Sequence, residues 1–584
     1  MSKNSLSNKT SYIILTVIIL VSLALSTFFM FTKQGFHEDE LLTYNLANSA
    51  HQLTTDGGWN TKADFNNYLT VNPSDRFDVN LVIKNQIIDA SHPPFYYFLV
   101  NTVCSFFPGV FSKWFAYSIN AVAMAGILIM LFKIGKLVSK NNFYSLTAVG
   151  AYALSIACIT TTIYLRMYAT LTFFVLSFIY LTIKIYNTVY NKDKPAKPYI
   201  DCIMLFIVVL LGVLTQYYFI LFAGLTGLVF LIFTLKNKEF SKLVRYIITA
   251  LLAAAAAFAI YPYIISNVLG GNRGLGSLSF NVDFITIVTY VIYKLGTYVQ
   301  IVAKELFVNQ LWLAVLCTVC ALAFAVYMRF FKKKKLSRNA VFIVIPAVIF
   351  FTAIALISPF NSDRYVMASL PLIVMIFVFA FIKIIEFVSG FGFAKKNILK
   401  FAAPVLVLAV TVCGLITVKP YYTYGKTNLY NPQSENCMFV GTAMLEWNKC
   451  IDKMMQYDNT MIVQTDKMSP TLGQELENFA EKRGVITHGK ISEMAKAYMN
   501  NGGEKEKTDS MQALKTDKKL NENENITVYV SRLADNDYVL NYIKENTKFK
   551  HCKLIQKDYD FDEFYNWYDY FAETESYCNV YLFY

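Results

Sequence analysis

Residues 11–42 read SYIILTVIILVSLALSTFFMFTKQGFHEDELL: twenty-one residues with no charged side chain, a short connector, then three acids in a row, Glu38, Asp39 and Glu40. An uncharged apolar run of this length spans the ~30 Å hydrocarbon core of a bilayer as a helix. It lacks a small-residue cleavage site and is too long for a signal-peptide core, so it reads as an uncleaved first span. Ten further runs of similar character follow, near Trp114–Phe132, Phe143–Ile163, Met167–Tyr186, Tyr199–Thr215, Phe219–Leu235, Tyr246–Ile265, Gln310–Met328, Ala340–Pro359, Tyr365–Ile385 and Ile398–Val418. The expectation is a polytopic α-helical membrane protein of about 11 transmembrane helices over residues 1–418, with a soluble region at 419–584.

Composition agrees. Of 584 residues, 55% are hydrophobic and 16% charged, which excludes an ordinary soluble enzyme. The net charge of +13 belongs to the membrane part: 33 Lys and Arg against 15 Asp and Glu precede Lys419, and 20 against 25 follow from it onward. Basic residues of membrane proteins gather in cytoplasmic loops, so this surplus reports orientation and argues against a nucleic-acid partner. With the N-terminus inside, 23 of those 33 basic residues fall on the cytoplasmic side. An odd number of spans then makes residues 419–584 extracytoplasmic.

Two apolar stretches, Pro93–Phe107 and Phe284–Phe307, are left over and read as interfacial helices on the outer surface. The tail alternates β-rich runs (Met461–Gln464, Ile526–Val530, Val580–Tyr584) with helix-like ones (Thr471–Lys482, Asp535–Lys544), giving an extracytoplasmic α/β domain. Residues 501–525 are polar and charged and read as a mobile loop or insertion. Six cysteines lie in apolar stretches; Cys437, Cys450, Cys552 and Cys578 fall on the oxidising side, where disulfides form.

The first external loop, residues 32–92, is too long for a connector and holds His37, His51 and His92. Acids at 38–40 suit a helix N-terminus, but a positioned carboxylate also serves as a general base on a hydroxyl. A helix over Asp39–Ala50 puts Asp39 and Thr43 on one face, Glu40 and Tyr44 on another. Arg166 (in Tyr164-Leu165-Arg166-Met167-Tyr168) and Arg364 (in Ser362-Asp363-Arg364-Tyr365) lie at external span ends. Snorkelling accounts for such arginines, and so does phosphate capture, because a planar guanidinium matches phosphate oxygens.

The order of Asp39-Glu40, His92-Pro93-Pro94-Phe95-Tyr96-Tyr97, Arg166-Met167-Tyr168, Thr215-Gln216-Tyr217-Tyr218-Phe219 and Arg364-Tyr365 resembles bacterial family 39-like membrane glycosyltransferases of the GT-C superfamily. That group includes protein O-mannosyltransferases and the lipid A aminoarabinose transferase. The resemblance implies inverting transfer of a hexosyl or pentosyl unit from a polyprenyl-phosphate sugar donor. The acceptor would be a hydroxyl of an envelope polymer, glycolipid or protein outside the membrane. It makes Asp39 the base with Glu40 beside it, Arg166 and Arg364 the donor-phosphate ligands, and His92, Tyr96, Tyr168, Gln216, Tyr217 and Tyr365 substrate-binding residues. Tyr164 stands where many relatives carry Glu, and Gln216 where many carry His. Both changes weaken the case for a divalent metal cofactor, for which His37, Asp39 and His92 are the candidates. The competing readings are a transporter or flippase of a lipid-linked substrate, and a scaffold that displays the tail.

Overall fold

In the computed structural model, described for residues 6–188, 198–270, 284–358, 361–389, 396–420, 422–423, 433–442, 447, 450–470, 509–560 and 577–584, the apolar runs are helices. Eight are long and apolar enough to cross a membrane: Asn8–Thr32, Lys113–Ser139, Tyr168–Asn187, Tyr218–Lys236, Phe240–Ile260, Leu311–Phe330, Arg338–Ile357 and Met367–Val388. The run expected at Phe143–Ile163 is two helices, Asn142–Ala153 and Ile156–Ile163, bent by 58°. Its break falls at Ser155, whose hydroxyl caps the second helix by accepting from the Cys158 N–H. Tyr199–Thr215 and Pro404–Thr417 are apolar but shorter. The protein is therefore multi-pass, with up to nine full-length spans among the described residues where the sequence suggested eleven. The two leftover stretches are also helical, over Phe95–Cys104 and Phe284–Leu306.

The chain forms two compact units, and they do not follow the linear division at residue 418. One comprises Met1–Phe31, Val82–Val100 and Lys113–Tyr421; the other comprises Thr32–Leu81, Asn101–Ser112 and Tyr422–Tyr584. Most of the first loop thus folds with the tail. The second unit is built on a six-stranded sheet of order β1-β3-β2-β4-β6-β5. Its strands are β1 (Trp59–Thr61), β2 (Asn436–Gly441), β3 (Asn459–Gln464), β4 (Ile526–Ser531), β5 (Cys552–Asp560) and β6 (Tyr577–Phe583). β2 pairs in parallel with β3 and β4, β6 runs antiparallel to β4 and β5, and β1 closes the edge antiparallel to β3, Trp59 opposite Met461.

β4, ITVYVS, is buried along its whole length. That is what a central strand covered on both faces requires, and its β-branched run supplies it. Val528, Val530, Met438, Met461 and Val463 pack with Val539 and Ile543 of the helix Asn536–Asn546. The polar stretch at 501–525 is corrected over its described part: Ser510–Lys515 and Lys518–Glu522 are short helices that bury Met511, Leu514 and Leu520 in this same core. Three apolar side chains spaced among charges suffice to dock it, and overall polarity hid them. The helix expected at Thr471–Lys482 lies outside the described residues. Among the described residues no two cysteines are joined in a disulfide; Cys437 Sγ sits 3.1 Å from Thr460 Oγ1, and burial pushes its thiol up to about 12.

The loop-one strand is held by more than its ladder. Trp59 Nε1 donates to the Asp517 carboxylate at 3.1 Å and Lys519 lies over the indole, 5.0 Å from its centroid. Just before it, Gly57 has φ +90°, donates to the Ile462 carbonyl, and leaves no room for a Cβ, which would meet Ala513 Cβ at 2.6 Å. Gly57→Ala combines a left-handed backbone with this clash, so it should destabilise the second unit by on the order of 1–3 kcal/mol. Thermal melting followed by limited proteolysis at residues 50–60 checks this; unchanged melting would mean that the loop is not tied to the tail sheet.

Candidate functional site

The acidic cluster of loop one opens the helix Glu38–Asn48, with His37 as its N-cap. His37 Nδ1 accepts from the Asp39 N–H (3.0 Å), while Glu40 Oε2 reaches back to the His37 N–H (2.8 Å). This is a capping box with histidine in the place usually taken by Ser or Thr. Because Nδ1 accepts, the proton of a neutral His37 sits on Nε2.

Glu40 Oε1 takes an ion pair from Lys33, and both side chains are fully buried. One Glu40 oxygen thus caps the helix, the other holds an ammonium, and none of it faces solvent. Asp39 differs. Its side chain keeps 13% exposure, and Oδ2 lies 3.9 Å from His37 Nδ1. Thr43 shares its face as expected, donating to the Asp39 carbonyl at 2.8 Å.

The arginines belong to the other unit. Arg166 is 1% exposed and stands in the turn between the helices Ile156–Ile163 and Tyr168–Asn187. Asn120 fixes this turn by donating to the carbonyls of Thr162 (3.3 Å) and Tyr164 (2.6 Å), and its own oxygen accepts from Tyr96 Oη at 3.1 Å. The guanidinium donates to Tyr97 Oη and to His92 Nε2, both at 3.2 Å. An arginine has no acceptor, so His92 Nε2 carries no proton, and Nδ1–H donates to Asp89 Oδ2 at 3.0 Å. An Asp89–His92–Arg166 relay results, carboxylate at one end and guanidinium at the other.

Arg364, in the 3-10 turn Asp363–Tyr365, donates to Tyr164 Oη (3.2 Å) and Tyr365 Oη (3.4 Å). Its guanidinium carbon lies 5.1 Å from the Tyr365 ring centroid, within cation–π range. Tyr168 stacks on Tyr164, centroids 5.8 Å apart and planes at 11°. The turn 164–168 thus ties the two arginines together: Arg166 leaves it, and Tyr164 holds Arg364. On the far side Tyr217 Oη accepts from Asn267, which also reaches Tyr261 Oη at 3.4 Å. Gln216 Oε1 accepts from the Tyr217 N–H at 2.6 Å, within its own turn.

His92, Arg166, Tyr168, Arg364 and Tyr365 accordingly fall in one network. Tyr96 supports the turn through Asn120, and Gln216 and Tyr217 form a neighbouring pair with Asn267. The sequence reading left out Asp89, Asn120, Tyr164 as an arginine partner, Asn267 and Tyr261. Asp89, three residues before His92, was the one legible signal among them. Among the described residues no group of three or more His, Cys, Asp or Glu could hold a metal ion. His37 Nδ1 and both His92 ring nitrogens are already bonded within the protein, so these rings do not fit as ligands in this arrangement.

No protein-family profile and no curated protein sequence matches the chain. Solved structures are similar in fold. ArnT from Cupriavidus metallidurans bound to undecaprenyl phosphate is 9% identical with a TM-score of 0.46, over 99% of this chain and 98% of that one. The apo state of the same protein gives 10% and 0.47 at the same coverage. The Archaeoglobus fulgidus oligosaccharyltransferase AglB, in complex with an inhibitory peptide and a dolichol-phosphate, is 11% identical with a TM-score of 0.42, over 90% of this chain and 70% of that one.

Removing one partner of the Lys33–Glu40 pair leaves a buried charge uncompensated. Lys33→Met and Glu40→Gln should each destabilise the second unit by about 3–5 kcal/mol, whereas Lys33→Met with Glu40→Met should recover most of the loss. Melting of the three variants checks this; single variants that melt like wild type would show that the pair is solvated.

Proposed function

We propose that the protein is an inverting glycosyltransferase that moves a sugar from a polyprenyl-phosphate donor to an acceptor hydroxyl at the outer face of the membrane. The observation that carries this reading is the pair of buried guanidiniums, Arg166 and Arg364, joined through one tyrosine-lined turn in a helical membrane unit. A buried guanidinium held by hydroxyls and an imidazole keeps its charge to offer, and a phosphate supplies the matching planar acceptor geometry. The motif order of the sequence supports the same reading. The undecaprenyl phosphate and dolichol-phosphate carried by the similar structures are ligands of this chemical class.

In this mechanism Arg166 and Arg364 bind the donor phosphate and stabilise the negative charge that grows on it as the anomeric C–O bond breaks. Charge stabilisation by preorganised groups is commonly the largest catalytic contribution. Asp39 takes the proton of the acceptor hydroxyl as its oxygen attacks the anomeric carbon from the opposite face, which inverts configuration. Polyprenyl phosphate leaves, and the proton rests on the Asp39 carboxyl. His92 and Tyr97 orient Arg166; Tyr168 and Tyr365 do the same around Arg364. Gln216 and Tyr217 line the donor's path, Glu40 positions the Asp39 helix, and no step requires a metal. The N-terminus is assigned to the cytoplasm and the tail to the outside, on the charge bias of the loops.

Asp39→Asn should reduce turnover of a polyprenyl-phosphate sugar by at least a hundredfold, in the range typical of general-base removal, while donor binding stays close to wild type. Arg364→Ala should weaken both. Release of free polyprenyl phosphate, measured on purified protein in lipid across a panel of donor sugars, checks this. Wild-type turnover by Asp39→Asn would remove the assignment. Absence of turnover across the panel, with acceptors supplied by native membrane extract, would favour a flippase.

A further inference from the structure

Residues 329–338 read RFFKKKKLSR, six cations in ten residues, and no Asp or Glu stands between Glu305 and Asp363. The stretch joins the helices Leu311–Phe330 and Arg338–Ile357, both long and apolar enough to cross a membrane. The residues between them, 331–337, reach at most about 25 Å when fully extended, so a connection pinned at both helix ends keeps its charges close to the membrane surface. All four lysines are exposed, and so are Phe330 (69%), Phe331 (76%) and Leu336 (58%). Phe331 stacks on Tyr327, centroids 5.5 Å apart and planes at 21°, and Lys332 Nζ lies 5.9 Å from the centroid of the same tyrosine. Cationic and aromatic groups thus share one surface.

Three carboxylates at the same end of the helices are matched to other lysines: Asp201 to Lys184 (2.6 Å), Glu239 to Lys242 (3.1 Å) and Glu386 to Lys383 (2.7 Å). They share that end with the basic stretch because Arg338 donates to Tyr186 Oη, Lys242 donates to the Tyr186 carbonyl, and Phe387 packs edge-on against Tyr327. Helix dipoles do not account for the charge either. A helix C-terminus favours cations only over its last turn, which serves Arg329, whereas Arg338 opens the following helix, the end at which a cation is disfavoured. The charge bias that orients a membrane protein calls for basic residues in a loop, but not for three exposed apolar side chains among them. Water compensates neither feature fully. An anionic bilayer surface takes up both, its phosphates meeting the cations and its acyl boundary the Phe and Leu side chains.

We propose that residues 329–338 form a docking surface for anionic phospholipid of the surrounding bilayer. Lys332, Lys333, Lys334, Lys335 and Arg338 engage the headgroup phosphates, and Phe330, Phe331 and Leu336 enter the acyl boundary. The surface is separate from Arg166 and Arg364 and stands independently of the proposed sugar transfer. Bound lipid would brace the two helices that the stretch joins; of these, Leu311–Phe330 buries only Ala314 among the described residues and so rests mainly on lipid.

The test uses the full chain in nanodiscs of mixed phosphatidylcholine and phosphatidylglycerol, with the immobilised fraction of spin-labelled phosphatidylglycerol compared with that of spin-labelled phosphatidylcholine by electron paramagnetic resonance. The expected result is a preference for phosphatidylglycerol that falls with added salt. Replacing Lys332, Lys333, Lys334 and Lys335 together by Gln should lower that preference at least fivefold, and replacing all four by Arg should keep it. Should the four-Gln variant fail to insert, Lys334→Gln with Lys335→Gln should lower it at least twofold. Lys236→Gln with Lys238→Gln removes the same charge from another exposed connection and should leave the preference unchanged. Wild-type preference in the four-Gln variant would overturn the proposal. So would equal losses in the two double variants, which would reduce the effect to net charge. Displacement of the labelled phosphatidylglycerol by inorganic phosphate at constant ionic strength would identify a soluble anion as the occupant and overturn it as well.

Discussion

Burying a guanidinium in a helical membrane unit is tolerable only if the protein supplies its hydrogen bonds, and much of the geometry around Arg166 follows from that demand. The backbone turn that carries the arginine is nailed by the Asn120 amide, and Asn120 is set by Tyr96. The charge is met by His92 and passed to Asp89, whose carboxylate fixes the imidazole in the tautomer that can accept. The next residues of the turn do the same for Arg364, through the Tyr164 hydroxyl and the stacked Tyr168. Tyrosine suits this work because its ring packs like a core residue while its hydroxyl reaches a polar partner.

The second unit solves a related problem by different means. Lys33 and Glu40 form a fully buried ion pair, and Glu40 serves at once as an N-cap partner for His37. One carboxylate is spent on structure, and its neighbour Asp39, one position along the helix and about 100° around it, stays partly exposed. Asp39 and Glu40 thus meet different surroundings by direction alone. The loop that bears them is anchored by contributing β1 to a sheet whose other strands come from the tail, which gives a long loop rigid support.

The membrane architecture was legible because hydropathy over twenty residues is a strong and local signal; all eleven apolar runs and both leftover stretches are helical. What the runs did not show is where they break. The bend at Ser155 arises from a single capping hydroxyl inside an apolar segment, and the pairing of β1 with β3 joins residues some four hundred positions apart, a contact with no local trace. In the site, Arg166, Arg364 and His92 stood out as polar residues at span ends. Glu40 was read with Asp39 because adjacent acids look alike until burial separates them, and the partner that separates it, Lys33, was only a flanking lysine. Asn120 and Tyr164 were hidden since one amide in an apolar helix and one tyrosine among forty carry no distinguishing pattern.

The central claim, that the buried arginine pair is a phosphate site, is tested most directly by binding of unglycosylated polyprenyl phosphate to the wild type, Arg166→Gln and Arg364→Gln in lipid nanodiscs, read by native mass spectrometry. The account predicts one phospholipid-competitive binding event in the wild type, lost or weakened at least tenfold in each variant, with polyprenol bound weakly by all three. Equal binding of polyprenyl phosphate by all three proteins would contradict it.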